Sequence, residues 1–126
     1  MVIKHHVTGY DKFLEFMEKL KVDEPIFVLY SGTKLDNGKS WCPDCVEAEP
    51  FIEEAVNTAP ENSHFIHVEV GDRPFWKDLK CPFRINPKTK LSSLPTISRW
   101  GTQKKLEGEH LLDVELIKML LHDDDD

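Results

Sequence analysis

No apolar run in the chain approaches the ~18 residues that a membrane-spanning helix requires. Cysteine is scarce, with three residues. So small and odd a count cannot staple a secreted mini-protein, and at least one thiol stays unpaired. Basic side chains are in deficit, 16 against 23 acidic ones, for a formal net charge of −7. Four of those 23 acids form the terminal run Asp123–Asp126, and the other 19 still outnumber the bases. Such a balance repels nucleic acid and anionic bilayers unless a local basic patch overrides it, so neither is an expected partner. The opening MVIKHHVTGYDK lacks the apolar stretch of a signal peptide. Internal repeats and Ser/Gly-rich linkers are also missing. The 126 residues, 40% hydrophobic and 31% charged, fit one globular domain rather than a disordered chain. The expectation is a soluble, cytoplasmic, reduced monomer with a domain over residues 1–122 and an acidic tail over 123–126.

Hydrophobic patterning fills in the domain. Val2 to Val7 reads as a short edge strand. Thr8 is a candidate N-cap, followed by Tyr10, Phe13, Leu14, Met17 and Leu20 at helical spacing. Ile26 to Tyr30 is continuously apolar, as a strand buried on both faces must be. A polar loop, Ser31 to Trp41, carries the Asn37-Gly38 turn signal. The helix after it draws its inner face from Ala48, Phe51, Ile52, Ala55 and Val56, with Pro50 expected to kink it. Phe65 to Val70 alternates as a strand, and His64 and His67 read as strand residues rather than ligands. Asp78 to Lys90 is ambiguous, with a short helix and a turn. Thr96–Trp100 and Lys104–Glu107 flank Gly101 as a hairpin, and Leu112, Leu116, Ile117, Leu120 and Leu121 mark a closing helix. Strands separated by helices imply an α/β fold, a small mixed sheet with helices on both faces and an antiparallel edge.

The chemistry is concentrated in Trp41-Cys42-Pro43-Asp44-Cys45, between a strand's loop and a helix. Cys42 is placed as N-cap and Pro43 as the first helical residue, where its missing N–H costs nothing. Cys45, three residues on, shares a helix face with Cys42 within disulfide range. Free N–H groups in the first turn favour a thiolate on Cys42, and Cys45 should be the more buried. Those positions make Cys42 the attacking thiol and Cys45 the resolving one. Half a zinc site has the same spacing, as does a structural pair. Zinc would draw two more ligands from Cys81 and six histidines, without a second C-x-x-C to supply them. No metal is expected.

These residues resemble the thioredoxin family. Strand, loop, W-C-x-x-C and helix follow in that order, and Pro50 falls at the family's helix proline. Leu94-Pro95-Thr96 looks like the cis-proline segment that faces the dithiol. The likeness is closest to the 14-kDa thioredoxin-related proteins and their clot-like relatives, and it covers almost the whole chain. It is carried by Gly38-Lys39-Ser40-Trp41-Cys42-Pro43-Asp44-Cys45, by Glu47-Ala48-Glu49-Pro50, and by the stretch from Val70 to Asp78. The resemblance implies a thioredoxin fold and a cytosolic disulfide reductase with no bound cofactor. Its electrons would come from NADPH through thioredoxin reductase, and its substrates would be small disulfides such as cystine and selected proteins. Trp41, Pro95 and Thr96 would support the dithiol, and Pro43 and Asp44 would tune its potential.

Two departures from ordinary thioredoxin stand out. Leu29 occupies the position of the buried Asp that relays the resolving cysteine's proton. Asp44 is either a substitute relay or a helix-terminal acid that favours the dipole. The loop Ser31–Ser40 is longer than in thioredoxin and falls where specificity tends to lie, or it is a tolerated surface insertion. Cys81 reads as an ordinary thiol. Two other functions remain open, a thioredoxin-like binding module with an incidental dithiol and a glutathione-linked, glutaredoxin-like enzyme.

Overall fold

The computed structural model describes residues 1–123, so the expected tail lies outside the described residues except for Asp123. The strands are β1 (Ile3–Thr8), β2 (Ile26–Ser31), β3 (His64–Glu69), β4 (Thr96–Arg99) and β5 (Lys105–Glu107). They form one sheet in the order β1-β3-β2-β4-β5. β3 runs parallel to both β1 and β2, whereas β4 pairs antiparallel with β2 and β5. The helices are α1 (Tyr10–Lys19), α2 (Pro43–Val56), α3 (Arg73–Lys77), α4 (Pro82–Ile85) and α5 (Val114–Leu121). A 3₁₀ turn over Gly108–Leu112 leads into α5.

The continuous apolar run of β2 follows from its place, with a strand on each side and a helical layer on each face. Val28 and Tyr30 point into one core with Ile66, Val68, Phe13, Met17, Trp76 and Phe83. Phe27 and Leu29 point into the other, with Phe65, Ile97, Ala48, Ile52, Ile117 and Leu121. The α/β sheet with helices on both faces is the expected architecture. Cys42 and Cys45 belong to the first core and Ala48 to the second, so the head of α2 lies where the two layers meet.

Two local expectations need correction, and one short helix carried no expectation. Thr8 is the last residue of β1, held extended opposite Glu69, and its hydroxyl donates to the Glu69 carboxylate at 3.2 Å. The α1 N-cap is Gly9, whose φ of +91° makes the sharp exit from the strand that Thr8 could not. Phe51 is 37% exposed, because the buried stripe of α2 runs through Ala48, Ile52, Ala55 and Val56 and leaves position 51 at its edge. Finally, Arg73–Lys77 is a helix that periodicity missed in so short a segment. Asp72 caps it by accepting from the Phe75 N–H at 3.0 Å, with Pro74 in the first turn.

Candidate active site

Cys42 is the N-cap of α2 and Pro43 opens the helix, as the motif predicts. The Cys42 sulfur accepts from the Cys45 N–H at 3.3 Å and from the Cys45 thiol at 2.6 Å. Both cysteines are free thiols, and each is only 6% exposed. By surface exposure the two are alike, while Cys45 sits deeper in the fold as expected, and the larger asymmetry between them is electrostatic.

The hydrogen bond from the Cys45 thiol is the main influence bringing the Cys42 pKa down to about 7. The Cys45 and Asp44 N–H groups help, while burial and the Asp44 carboxylate oppose them. The same contact acts in reverse on Cys45, whose pKa is raised by its bond to Cys42 and by burial. The Gly32 N–H and the Ser40 hydroxyl pull the other way without cancelling the rise. Pro43 and Asp44 are exposed in the first turn.

Trp41 is partly buried against the core that holds both cysteines. Its Nε1 donates to the Gly71 carbonyl at 2.8 Å. The ring closes on Gly32, where a Cβ would stand 2.6 Å from Trp41 Cε2, so only glycine fits there. Leu94–Pro95 is a cis peptide bond, and Pro95 lines a cavity with Cys45. Thr96 is fully buried at the start of β4, opposite Tyr30, and its hydroxyl donates to the Ser93 carbonyl.

The loop from Ser31 to Ser40 is a small folded hairpin. Lys34 pairs with Ser40, and Asn37-Gly38 forms the turn with Gly38 at φ +83°. Four contacts pin the hairpin to the end of β3 and the residue pair that follows it. The Thr33 N–H and the Trp41 ring both donate to Gly71 O, the Gly71 N–H donates to Thr33 Oγ1, and the Lys34 N–H donates to Glu69 Oε1 at 2.8 Å. Burial pushes the Glu69 carboxyl up, but the Lys34 N–H, His6 and Thr8 outweigh it and hold the pKa below the usual carboxylate value.

Sequence reasoning missed Ser40, Gly71 and Glu69. The Ser40 hydroxyl donates to Gly32 O at 2.7 Å and accepts from the Cys42 N–H at 3.1 Å, tying the loop to the dithiol. Gly71 sits at φ +124°, with Phe75 packed where a side chain would go. Ser40 and Gly71 fall within the stretches that carried the resemblance, which was their one available signal. Cys81 is buried as the N-cap of α4.

The cavity beside Cys45 is about 340 Å³ and lies between α2 and the β1 side of the sheet. Leu29, Ile52 and Phe65 form its apolar walls, and Glu49, Lys34 and His67 are among its polar ones. His67 bonds Ser31 Oγ through Nε2 at 2.7 Å, and burial, aided by nearby His6, lowers its pKa to about 4. Among the described residues, no group of three or more His, Cys, Asp and Glu side chains is placed to hold a metal ion. Nor is any described helix long and apolar enough to cross a membrane.

Comparisons with known proteins agree with this geometry. Residues 6–123 match the family model for the thioredoxin domain of proteins like thioredoxin domain-containing protein 17. Thioredoxin domain-containing protein 17 of Danio rerio is 43% identical over 119 residues, covering 94% of each chain. Its Homo sapiens counterpart is 38% identical over 118 residues, again 94% of each. The thioredoxin-like protein Clot of Arabidopsis thaliana is 38% identical over 90 residues, 67% of each chain. Among solved structures, chloroplastic thioredoxin z superposes with a TM-score of 0.57, covering 98% of this chain and 95% of that one. At 17% identity that likeness speaks for the fold alone. The chain therefore has a thioredoxin fold and belongs to the thioredoxin domain-containing protein 17-like family.

Proposed function

We propose that the protein is a thiol–disulfide reductase working through Cys42 and Cys45. The supporting observation is the unequal hydrogen bonding of the pair, which favours a thiolate on Cys42 near neutral pH and keeps Cys45 protonated. The Cys42 thiolate attacks one sulfur of a substrate disulfide, a Cys42–substrate bond forms, and the first substrate thiolate leaves. Cys45 then attacks the Cys42 sulfur. A Cys42–Cys45 disulfide forms, and the second substrate thiolate departs with the electron pair. Two electrons pass to the substrate, and NADPH restores the dithiol through thioredoxin reductase.

Trp41, Pro95 and Thr96 shape and shield the site, while Pro43 and Asp44 set the potential of the pair. The hairpin Ser31–Ser40 forms the rim that selects substrates, favouring cystine and particular proteins. Residues 1–122 are the working unit, residues 123–126 a solvating tail, and the protein acts as a cytosolic monomer. A coupled assay tests the reading. NADPH, thioredoxin reductase and cystine should support turnover, whereas glutathione with glutathione reductase should not. Turnover only with glutathione would favour a glutaredoxin-like enzyme. No turnover in either system would favour the binding module.

A further inference from the structure

Resolution of the mixed disulfide requires Cys45 to lose a proton. Burial and the Cys42 contact both oppose that loss, and Leu29 offers no acceptor on the cavity wall. At ~30 Å³ per molecule, 340 Å³ has room for roughly ten waters, with polar walls to hold them. Cys45 and Glu49 both face this space, four residues apart on one side of α2. We propose that Glu49 takes the Cys45 proton through water in the cavity the two side chains share. This rests on Cys45 being the resolving thiol.

The other ionisable groups on the cavity are less suited. Lys4 from β1 and Lys34 from the hairpin are basic side chains and offer no carboxylate to accept the proton. His5 is bonded to His64 at 2.9 Å, His6 to Glu69 at 2.6 Å, and His67 to Ser31. Glu53 is another turn away from Cys45 along α2. Asp44 acts on Cys42, whose thiolate it opposes. Glu49 is exposed, so it can return the proton to solvent. The step balances. The Cys45 S–H bond breaks, its electron pair forms the bond to Cys42 sulfur, the substrate thiolate leaves, and the proton reaches the carboxylate.

Reduced protein mixed in stopped flow with 5,5′-dithiobis(2-nitrobenzoate) separates the steps, in a Cys81→Ser background. The first thionitrobenzoate released reports attack by Cys42, and the second reports resolution by Cys45. Glu49→Gln should keep the first phase within about twofold. It should slow the second at pH 7 by about tenfold or more, less than the roughly 10²–10⁴-fold of a positioned general base because cavity water can still take the proton. The slowed phase should climb more steeply with pH than in the parent. Glu49→Asp should restore part of the rate, and formate should rescue Glu49→Ala. An unchanged second phase in Glu49→Gln would overturn the proposal, as would equal slowing by His67→Gln. Release of only one thionitrobenzoate per molecule of the parent would instead overturn the assignment of the two thiols.

Discussion

Cys42 and Cys45 are three residues apart and equally exposed, yet their surroundings differ in kind. Around Cys42 the protein supplies fixed donors and a rim pinned by Trp41, Ser40 and Thr33. Beside Cys45 it supplies a cavity with ionisable walls. The contrast teaches that two identical thiols are set apart by the donors around one and the polar space beside the other. Exposure by itself would have treated them alike.

The largest effects should come from removing either sulfur. Cys42→Ser should abolish reductase turnover, because a serine hydroxyl stays protonated near neutral pH. Cys45→Ser should stall as a mixed disulfide with substrate that dithiothreitol releases, visible by intact-mass measurement. Equal trapping by both variants would erase the contrast between the thiols.

The next effects sharpen the rim. Gly71→Ala places a Cβ 2.8 Å from the Phe75 ring at φ +124°, a strain of about 1–3 kcal/mol. Urea denaturation should show that loss, and Trp fluorescence should shift as the Gly71 carbonyl moves from Trp41. Glu69→Gln should destabilise by roughly 1–3 kcal/mol by weakening a buried acceptor for Lys34, His6 and Thr8. Its folded pKa lies below the ordinary value, so the parent's extra stability is present at neutral pH and lost as pH falls through that depressed pKa. Denaturation midpoints of parent and Glu69→Gln should therefore converge in acid.

Much of this site could be read in the sequence, and what could not has a common cause. The strand, the N-cap cysteine, the N1 proline and the Asn37-Gly38 turn are local, and each residue type imposes its own geometry. Glu69 and Gly71 act on Lys34 and Thr33, 35 and 38 residues away in sequence, through register that no local pattern encodes. Thr8 pairs with Glu69 across the sheet, and that long-range pairing overrides its capping tendency. The cavity beside Cys45 depends on α2 packing over β1 and β3, so Glu49 and His67 gave no sequence signal of facing it.

The smallest expected effect belongs to Asp44. Asp44→Asn removes a charge that opposes the Cys42 thiolate, so the Cys42 pKa should fall slightly. Stability should change by about 1 kcal/mol or less, as for a first-turn acid. If Asp44 also relays the Cys45 proton, the second phase of the stopped-flow reaction will slow and climb more steeply with pH. If it is only a helix-terminal acid, that phase will stand.

The division between the thiols is tested most directly by the pH dependence of alkylation. Reduced protein, in a Cys81→Ser background, is treated briefly with iodoacetamide across pH 5 to 10, and the labelled cysteine is identified by peptide mass. The account predicts labelling at Cys42 alone, with a rate that rises through an apparent pKa of about 7. Labelling of Cys45 at a comparable rate, or of Cys42 with the pKa of an ordinary thiol, would contradict it.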